Sequence, residues 1–120
     1  MTDQIHIKDL HLRTVIGISA EERRDRQDVL INLTLHVDTR AAGESDDIDQ
    51  AVKYRTLTKR IIQLVETSQF HLVEKLAAEI AAICLGDPRV DRVSVTVEKP
   101  GALRFARSVG VTVERGRDDA

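Results

Sequence analysis

Three cations surround one predicted turn near the C-terminus, in the segment VEKPGALRFARSVGV at residues 97–111. Lys99 ends a run of alternating valines and stands directly before a Pro-Gly pair, and Arg104 and Arg107 follow in the same loop. A lysine held at a strand end can act as a general base, although an isolated lysine at a turn can equally be solvated. Guanidinium groups suit a polyphosphate, and here the alternative is again two solvated arginines. The turn is therefore a candidate site for proton transfer beside an anionic ligand.

Three further side chains could take part in chemistry or recognition. Glu74 borders the apolar stripe of a predicted helix, where a carboxylate can accept two N–H donors side by side; alternatively it pairs with Lys75 or another neighbour on the helix. Tyr54 begins another predicted helix and could serve as a phenolic acid or a stacking surface, or simply pack half-buried. Glu22 lies in a charged connection after Gly17, where solvated charge is the alternative.

Other reactive groups show no recognisable pattern. The four histidines, His6, His11, His36 and His71, do not have the spacing of a metal site, so no protein-bound metal is expected. The sequence contains neither a phosphate-binding loop of the type G-x-x-x-x-G-K-[ST] nor a G-x-S-x-G nucleophile turn. The single cysteine, Cys84, excludes a disulfide within the chain.

The composition is typical of one globular domain, which we expect to span residues 1–120. Hydrophobic residues make up 42% of the chain and charged residues 32%, with a net charge of −2. A mildly acidic chain without a basic stripe and interleaved aromatic residues is not expected to bind nucleic acid. No apolar run has the length of a membrane span, and the polar segment 1–10 lacks the apolar region of a secretory signal. We therefore expect no membrane partner and a cytoplasmic location.

Alternation of apolar and polar residues predicts four strands. An apolar series begins at Ile5, slips between Ile7 and Leu10, and predicts a bulged strand that runs to about Val15. The other three strands are predicted over residues 29–37, 92–99 and 108–115.

Two helices are predicted between the second and third strands. The apolar stripe of the first, over residues 54–67, consists of Leu57, Ile61, Leu64 and Val65. The stripe of the second, over residues 71–86, consists of Leu72, Val73, Leu76, Ile80 and Ile83. The segment 39–52, which contains a glycine, a serine and three aspartates, is predicted to be a loop.

The predicted order is β-β-α-α-β-β, which favours an α+β fold: a four-stranded antiparallel sheet with both helices on one face. The other face would carry Asn32, Thr34 and His36, and the sheet would have two open edges. A homo-oligomer could close the sheet into a larger barrel, or a monomer could leave this face solvated. The pattern alone leaves both possibilities open.

Five segments, in this order, resemble the dihydroneopterin aldolase/epimerase family over nearly the whole chain. They are LRTVIGISAEE (12–22), RQDVLINLTLHV (26–37), VKYRTLTKRIIQLVE (52–66), FHLVEKLAAEIA (70–81) and EKPGALRFARSVGV (98–111). The resemblance implies the tunnelling fold of that family, in which the sheets of four subunits form a barrel and two such rings stack into an octamer. It also implies active sites between neighbouring subunits.

The same resemblance assigns roles to the candidate residues. Lys99 matches the catalytic lysine of the family, and Tyr54 matches a tyrosine that contributes to catalysis and substrate binding across the subunit interface. Four further positions match substrate-contacting residues: Glu22, Gln27, Val73 and Glu74. Among these, Glu74 would bind the 2-amino and N3 edge of a pterin, helped by a backbone group of Val73.

Two departures place the chain with the epimerase branch of the family rather than with the aldolases. Ile16 stands where aldolases usually carry a histidine, and PGALRFARS follows Lys99 where aldolases have a segment of the type N-P-P-I-P-G. The epimerase branch has an ALR segment in this place and an R-T-x-I-G turn like the one at residues 13–17. Pro100 alone is more typical of aldolases.

The resemblance therefore implies epimerisation at C2′ of 7,8-dihydroneopterin triphosphate to dihydromonapterin triphosphate, by retro-aldol and aldol steps in pterin and folate metabolism. The partner would be a small-molecule dihydropterin, no cofactor would be needed, and Arg104 and Arg107 would neutralise the triphosphate. One alternative is a dihydroneopterin aldolase that gives 6-hydroxymethyl-7,8-dihydropterin and glycolaldehyde. The other is a non-catalytic pterin-binding domain.

Overall fold

The structure, a computed structural model, describes residues 3–119 of the chain and contains four strands and four helices. In chain order they are β1 (Asp3–Thr14), α1 (Ala20–Arg24), β2 (Gln27–Val37), α2 (Arg40–Ser45), α3 (Tyr54–Thr67), α4 (Val73–Leu85), β3 (Val90–Pro100) and β4 (Ser108–Gly116). A short 3₁₀ turn, Ile48–Gln50, lies between α2 and α3.

The four strands form one antiparallel sheet, as the sequence predicted, and their order in the sheet is β1-β2-β3-β4. The predicted slip in β1 is a bulge between Ile7 and Leu10, where the backbone of Asp9 has a φ of 54°. The N–H of Asp9 donates to Oδ1 of Asn32 on β2 at 2.9 Å, which satisfies a donor that the bulge removes from the strand ladder.

The core lies between the sheet and the two long helices. Alternate residues of β2 and β3 point toward the helices and are fully or almost fully buried: Val29, Ile31, Leu33, Leu35, Val37, Val93, Val95 and Val97. From α3, the predicted Leu57, Ile61 and Val65 are buried, whereas Leu64 only borders the core. The core is therefore built from aliphatic side chains on both layers, which fits the scarcity of aromatic residues.

The buried face of α4 differs in part from the predicted stripe. Its buried residues are Leu76, Ala77, Ile80, Ala81 and Cys84. The large residues Val73 and Ile83 only border the core, and Leu72 is exposed at the helix start. The prediction relied on large side chains, whereas Ala77 and Ala81 belong to the buried face of α4, the helix that packs against β3 and β4.

The prediction of a loop over residues 39–52 is wrong, because α2 and the 3₁₀ turn occupy much of it. Asp46 adopts the left-handed conformation that ends α2, with a φ of 55°, and its N–H donates to the carbonyl of Ala42 at 2.9 Å. The side chain of Asp47 then accepts from the N–H of Asp49 and begins the 3₁₀ turn. Two of the three aspartates that suggested a loop therefore cap short helical segments.

The sheet face away from the helices is polar, as predicted. Asn32, Thr34 and His36 are half-buried on it, and Thr34 Oγ1 lies 3.2 Å from Nδ1 of His6 on β1. Strands β1 and β4 form the two edges. Within residues 3–119, no helix is both long and apolar enough to cross a membrane.

The molecule is elongated, with extents of 51 × 27 × 23 Å, and the two ends of α3 lie in different parts of it. The buried hydroxyl of Thr14, the last residue of β1, donates to the carbonyl of Val65 at 2.6 Å. This contact places the C-terminal end of α3 beside the end of the sheet where β1 ends. Because the 14 residues of α3 span about 20 Å, Tyr54 at its start lies far from that end.

Candidate active site

Lys99 and Glu22 form an ion pair at the end of β3. Nζ of Lys99 donates to Oε2 of Glu22 at 2.8 Å, and only 16% of the lysine side chain and 27% of the glutamate side chain are exposed. The two residues are 77 positions apart in the sequence, and the sheet brings them together. An ammonium group fixed in this way is a suitable centre for proton transfer, and it is half-shielded from water.

Gln27 donates to the same carboxylate oxygen as Lys99. Its Nε2 donates to Oε2 of Glu22 at 3.1 Å and to the carbonyl of Ile16 at 2.6 Å. The pKa of Glu22 is lowered from 4.5 to about 2, chiefly by the hydrogen bond from Lys99, then by that from Gln27, with a smaller contribution from the N–H of Ile18. Partial burial acts in the opposite direction. Glu22 is therefore a permanent anion at neutral pH.

The backbone around Gly17 and α1 positions Glu22. Ser19 and Glu22 form a capping box: Ser19 Oγ accepts from the N–H of Glu22 at 3.1 Å, and Oε1 of Glu22 accepts from the N–H of Ser19 at 3.5 Å. Gly17 has a φ of 127°, and a Cβ at this position would lie 2.2 Å from Cδ of Glu22. The carboxylate thus lies against a backbone position that only glycine can fill.

Arg23 joins α1 to the segment before α4, a contact that was not predicted from the sequence. Its Nη1 donates to the carbonyls of Gly17 at 3.1 Å and Phe70 at 3.0 Å, and its Nη2 donates to the carbonyl of Gln69 at 2.7 Å. The N–H of Gly17 also donates to the carbonyl of Phe70 at 3.3 Å. These bonds hold the Glu22 segment against the start of α4.

Glu74 and Val73 lie in the first turn of α4, at the same end of the molecule. The alternative pairing with Lys75 is wrong, because Nζ of Lys75 donates to Glu79 at 2.7 Å. Glu74 is exposed and forms no ion pair within residues 3–119. The N–H of Lys75 donates to the carbonyl of Leu72 at 3.2 Å, whereas the first two N–H groups of the helix, those of Val73 and Glu74, have no partner within it. A free carboxylate and free donors together suit a flat ligand whose edge carries both donors and acceptors.

The turn after Lys99 exposes its arginines. Gly101, with a φ of 72°, donates its N–H to the carbonyl of Arg107 at 3.0 Å and closes the turn. The guanidinium of Arg104 lies 5.0 Å from the centre of the Phe105 ring, which is 97% exposed. Arg104 and Arg107 form no ion pair with a carboxylate in the part of the chain that the structure describes. Their charge is therefore available to a ligand.

Tyr54 is not brought to this centre within one chain. It lies at the far end of α3, with 55% of the residue exposed, so the half-buried packing alternative is wrong. With Ile48, Ala51 and Val52 it lines an open cavity of about 490 Å³. Tyr54 can contribute to a site at Lys99 only from a neighbouring copy of the chain.

Potential metal ligands and the Cys84 thiol are the two remaining types of reactive group. Within residues 3–119, no three His, Cys, Asp or Glu side chains converge in a way that could hold a metal ion. Burial raises the pKa of the Cys84 thiol to about 12, so this cysteine is not a thiolate nucleophile at neutral pH. The groups that the structure places near the end of β3 are the amine of Lys99, the carboxylate of Glu22 and the guanidinium groups of the following turn.

Comparison with known proteins identifies close similarities along almost the whole chain. The sequence profile of the dihydroneopterin aldolase family (FolB) matches residues 5–114. Dihydroneopterin triphosphate 2′-epimerase from Pseudomonas aeruginosa is 48% identical over 110 residues, which cover 92% of this chain and 89% of that protein. The protein of the same name from Escherichia coli K12 is 46% identical over 109 residues, covering 91% of each chain. The fold is also similar to the crystal structure of E. coli dihydroneopterin aldolase in complex with neopterin, with a TM-score of 0.90. The match covers 95% of this chain and 99% of that one, and the two sequences are 32% identical.

Proposed function

The chain belongs to the dihydroneopterin aldolase family, and we propose that it epimerises 7,8-dihydroneopterin triphosphate at C2′ to give dihydromonapterin triphosphate. The observation that carries the proposal is the shielded Lys99–Glu22 pair beside a turn that exposes two arginines. The names of the relatives support the same reading: those at 46–48% identity are called 2′-epimerases, and the aldolase is 32% identical.

The chemistry uses the substrate itself as the electron acceptor. A base removes the proton of the 2′-hydroxyl group, the C1′–C2′ bond breaks, and its electron pair enters the N5=C6 imine of the dihydropterin. N5 takes up one proton as this happens, and it returns that proton when the bond re-forms. The products of this step are an enamine and an aldehyde, so atoms and electrons balance without a redox partner. The aldehyde then turns over and is attacked by the enamine on its other face, which re-forms the bond with C2′ inverted.

Lys99 is the proposed base, acting directly or through a water molecule. Glu22 fixes the position of Nζ by accepting its hydrogen bond, and Gln27 fixes Glu22 by donating to the same carboxylate oxygen. Val73 and Glu74 bind the pterin edge at the start of α4, where a carboxylate and free N–H donors occur together. Holding the ring and the side chain at once supplies the orientation that the bond cleavage requires.

Tyr54 is the proposed proton relay and completes the site from a neighbouring copy. Because strand directions alternate across the sheet, β4 of one copy can pair antiparallel with β1 of the next and continue the same sheet. This arrangement would cover the two open edges and enclose the polar face. We propose a homo-octamer made of two tetrameric rings, as in the family that the sequence resembles.

The arginines of the turn determine the choice between two outcomes at one site. If the aldehyde fragment leaves and the enamine is protonated, the reaction is an aldolase cleavage. A fragment that carries the triphosphate is held by Arg104, with Arg107 as a second contact, and re-adds before it escapes. Aldolase activity is therefore the second candidate function, and the similarity to the E. coli aldolase favours it as a side activity.

The proposal is tested by incubating the purified protein separately with dihydroneopterin triphosphate and with dihydroneopterin, without added metal, and separating the products by chromatography. We expect the 2′-epimer, formed mainly from the triphosphate. Formation of mostly 6-hydroxymethyl-7,8-dihydropterin and glycolaldehyde from dihydroneopterin would instead make the protein an aldolase. No product from either substrate would contradict both candidate functions.

A further inference from the structure

Arg23 links the two halves of the candidate site. We propose that it is a positioning residue, which sets the distance between the Lys99–Glu22 pair and the first turn of α4 that carries Glu74. The proposal rests on the proposed function, because it assumes that one ligand reaches both halves.

The contacts of Arg23 are directed at backbone rather than at charge. All three of its hydrogen bonds end on carbonyl oxygens, those of Gly17, Gln69 and Phe70, at 2.7–3.1 Å. The residue is half-buried and forms no ion pair within residues 3–119. A charged donor on a neutral acceptor makes a stronger hydrogen bond than a neutral pair, and a fork of donors also fixes direction. Arg23 therefore fastens two chain segments that are 46 to 47 residues apart.

Glu22 and Arg23 are neighbours on the short helix α1, and their side chains point in different directions. Successive side chains on a helix point about 100° apart, so Glu22 and Arg23 cannot face the same way. Glu22 faces Lys99, and Arg23 faces the segment before α4. The capping box between Ser19 and Glu22 stiffens this single turn. A displacement of the segment that Arg23 contacts is therefore transmitted through α1 to Glu22.

The start of α4 depends on this support. Its N-cap residue, Leu72, has no side-chain oxygen, and the helix has no side-chain capping bond. The segment that leads into the helix is fixed instead at Gln69 and Phe70, three to four residues before Val73, by Arg23 and by the N–H of Gly17. Loss of Arg23 removes most of these bonds without touching Lys99, Glu22 or Glu74.

The expected consequence is a loss of rate with little loss of binding. The pterin edge binds locally to α4, and the Lys99–Glu22 pair is intact, but the reacting hydroxyl group no longer lies correctly relative to the base. A misplacement of about 1 Å can cost on the order of 100-fold in rate. We therefore expect Arg23→Gln to lower kcat by about 10- to 100-fold, while the Kd for neopterin changes by less than about threefold.

The matched control is Arg24→Gln. Arg24 is the next residue on the same helix, is exposed and makes no side-chain hydrogen bond within residues 3–119. For the wild type, both glutamine variants and Arg23→Lys, we would measure kcat and KM on dihydroneopterin triphosphate, the Kd for neopterin and Tm. Arg23→Lys keeps the charge but loses the fork, so its kcat should lie between those of the wild type and Arg23→Gln. A purely structural role would instead lower Tm and leave kcat per folded subunit unchanged, which would overturn the proposal.

Hydrogen exchange separates failure of this proposal from failure of the proposed function. The peptide covering residues 69–74 should exchange faster in Arg23→Gln than in Arg24→Gln, whatever the substrate is. An inactive wild type would contradict the proposed function, and the exchange result would then decide whether Arg23 holds the start of α4. Equal exchange in the two variants, or equal kcat values in an active protein, would overturn the role of Arg23.

Discussion

The Lys99–Glu22 pair should contribute measurably to stability, and Glu22→Gln isolates that contribution. Glutamine keeps the shape of the side chain but removes its charge. A carboxyl whose pKa is held at about 2 instead of 4.5 has roughly 3 kcal/mol of preferential stabilisation in its ionised form. Because 27% of the Glu22 side chain is exposed, solvent screening reduces the expected loss to about 1–2 kcal/mol.

The pH dependence of this loss is the distinguishing feature. The folded-state pKa of Glu22 is lowered, so its contribution is fully present above its ordinary value of 4.5 and is lost as the pH falls toward 2. The free energy of unfolding in urea should therefore differ between wild type and variant by about 1–2 kcal/mol near pH 7, and the difference should shrink steadily below pH 4.5. Both proteins must be compared at one subunit concentration, because assembly adds to apparent stability.

Glu21→Gln is the control for this experiment. Glu21 precedes Glu22 on α1, is exposed and makes no side-chain hydrogen bond within residues 3–119, so its replacement should change stability by less than about 0.5 kcal/mol. An equal loss in both variants would show that helix charge, and not the pair, is responsible. The difference in the free energy of unfolding between wild type and Glu22→Gln could also stay constant from pH 7 down to the acid limit of folding. That result would refute the reasoning, because the difference would then not be linked to protonation of the carboxylate.

Three further substitutions test the site. Lys99→Ala should abolish both epimerisation and cleavage while the Kd for neopterin stays within about tenfold of the wild type, and retained turnover would remove Lys99 as the base. Arg104→Ala should raise KM for dihydroneopterin triphosphate by about tenfold or more with little effect on dihydroneopterin, and equal losses on both substrates would remove its phosphate role. Gly17→Ala should lower the free energy of unfolding by about 1–3 kcal/mol in urea, because it adds a Cβ 2.2 Å from Cδ of Glu22 at a positive φ; unchanged stability would show that the loop relaxes freely.

The sheet was predictable because burial on one face leaves a direct trace in the sequence. The alternation over residues 29–37 marks the buried face of β2, and the slip between Ile7 and Leu10 marks the bulge. The apolar face of α4 was harder to predict, since Ala77 and Ala81 pack closely without being strongly hydrophobic. Residues 39–52 were misjudged because aspartates that cap short helical segments look the same in sequence as aspartates in a loop.

The site was predictable residue by residue but not as an arrangement. The resemblance pointed to Lys99, Glu22 and Gln27, and the structure brings these three side chains together. The S-x-x-E spacing of the capping box was a local signal that could have revealed α1. Arg23 had no such signal, because its partners are backbone carbonyls, two of them 46 to 47 residues away, and any residue type offers the same oxygen. Contacts of this kind become visible only in three dimensions.

The central claim is that C2′ is inverted by breaking and re-forming the C1′–C2′ bond, and the most direct test is to run the reaction in D₂O. The hydrogen on C2′ stays with its carbon when the aldehyde forms and re-adds, so nuclear magnetic resonance should show no deuterium at C2′ of the epimer. Any 6-hydroxymethyl product should carry one deuterium on its hydroxymethyl carbon, because the released enamine is protonated there. Deuterium at C2′ of the epimer would show that a C–H bond breaks instead, and would contradict the account.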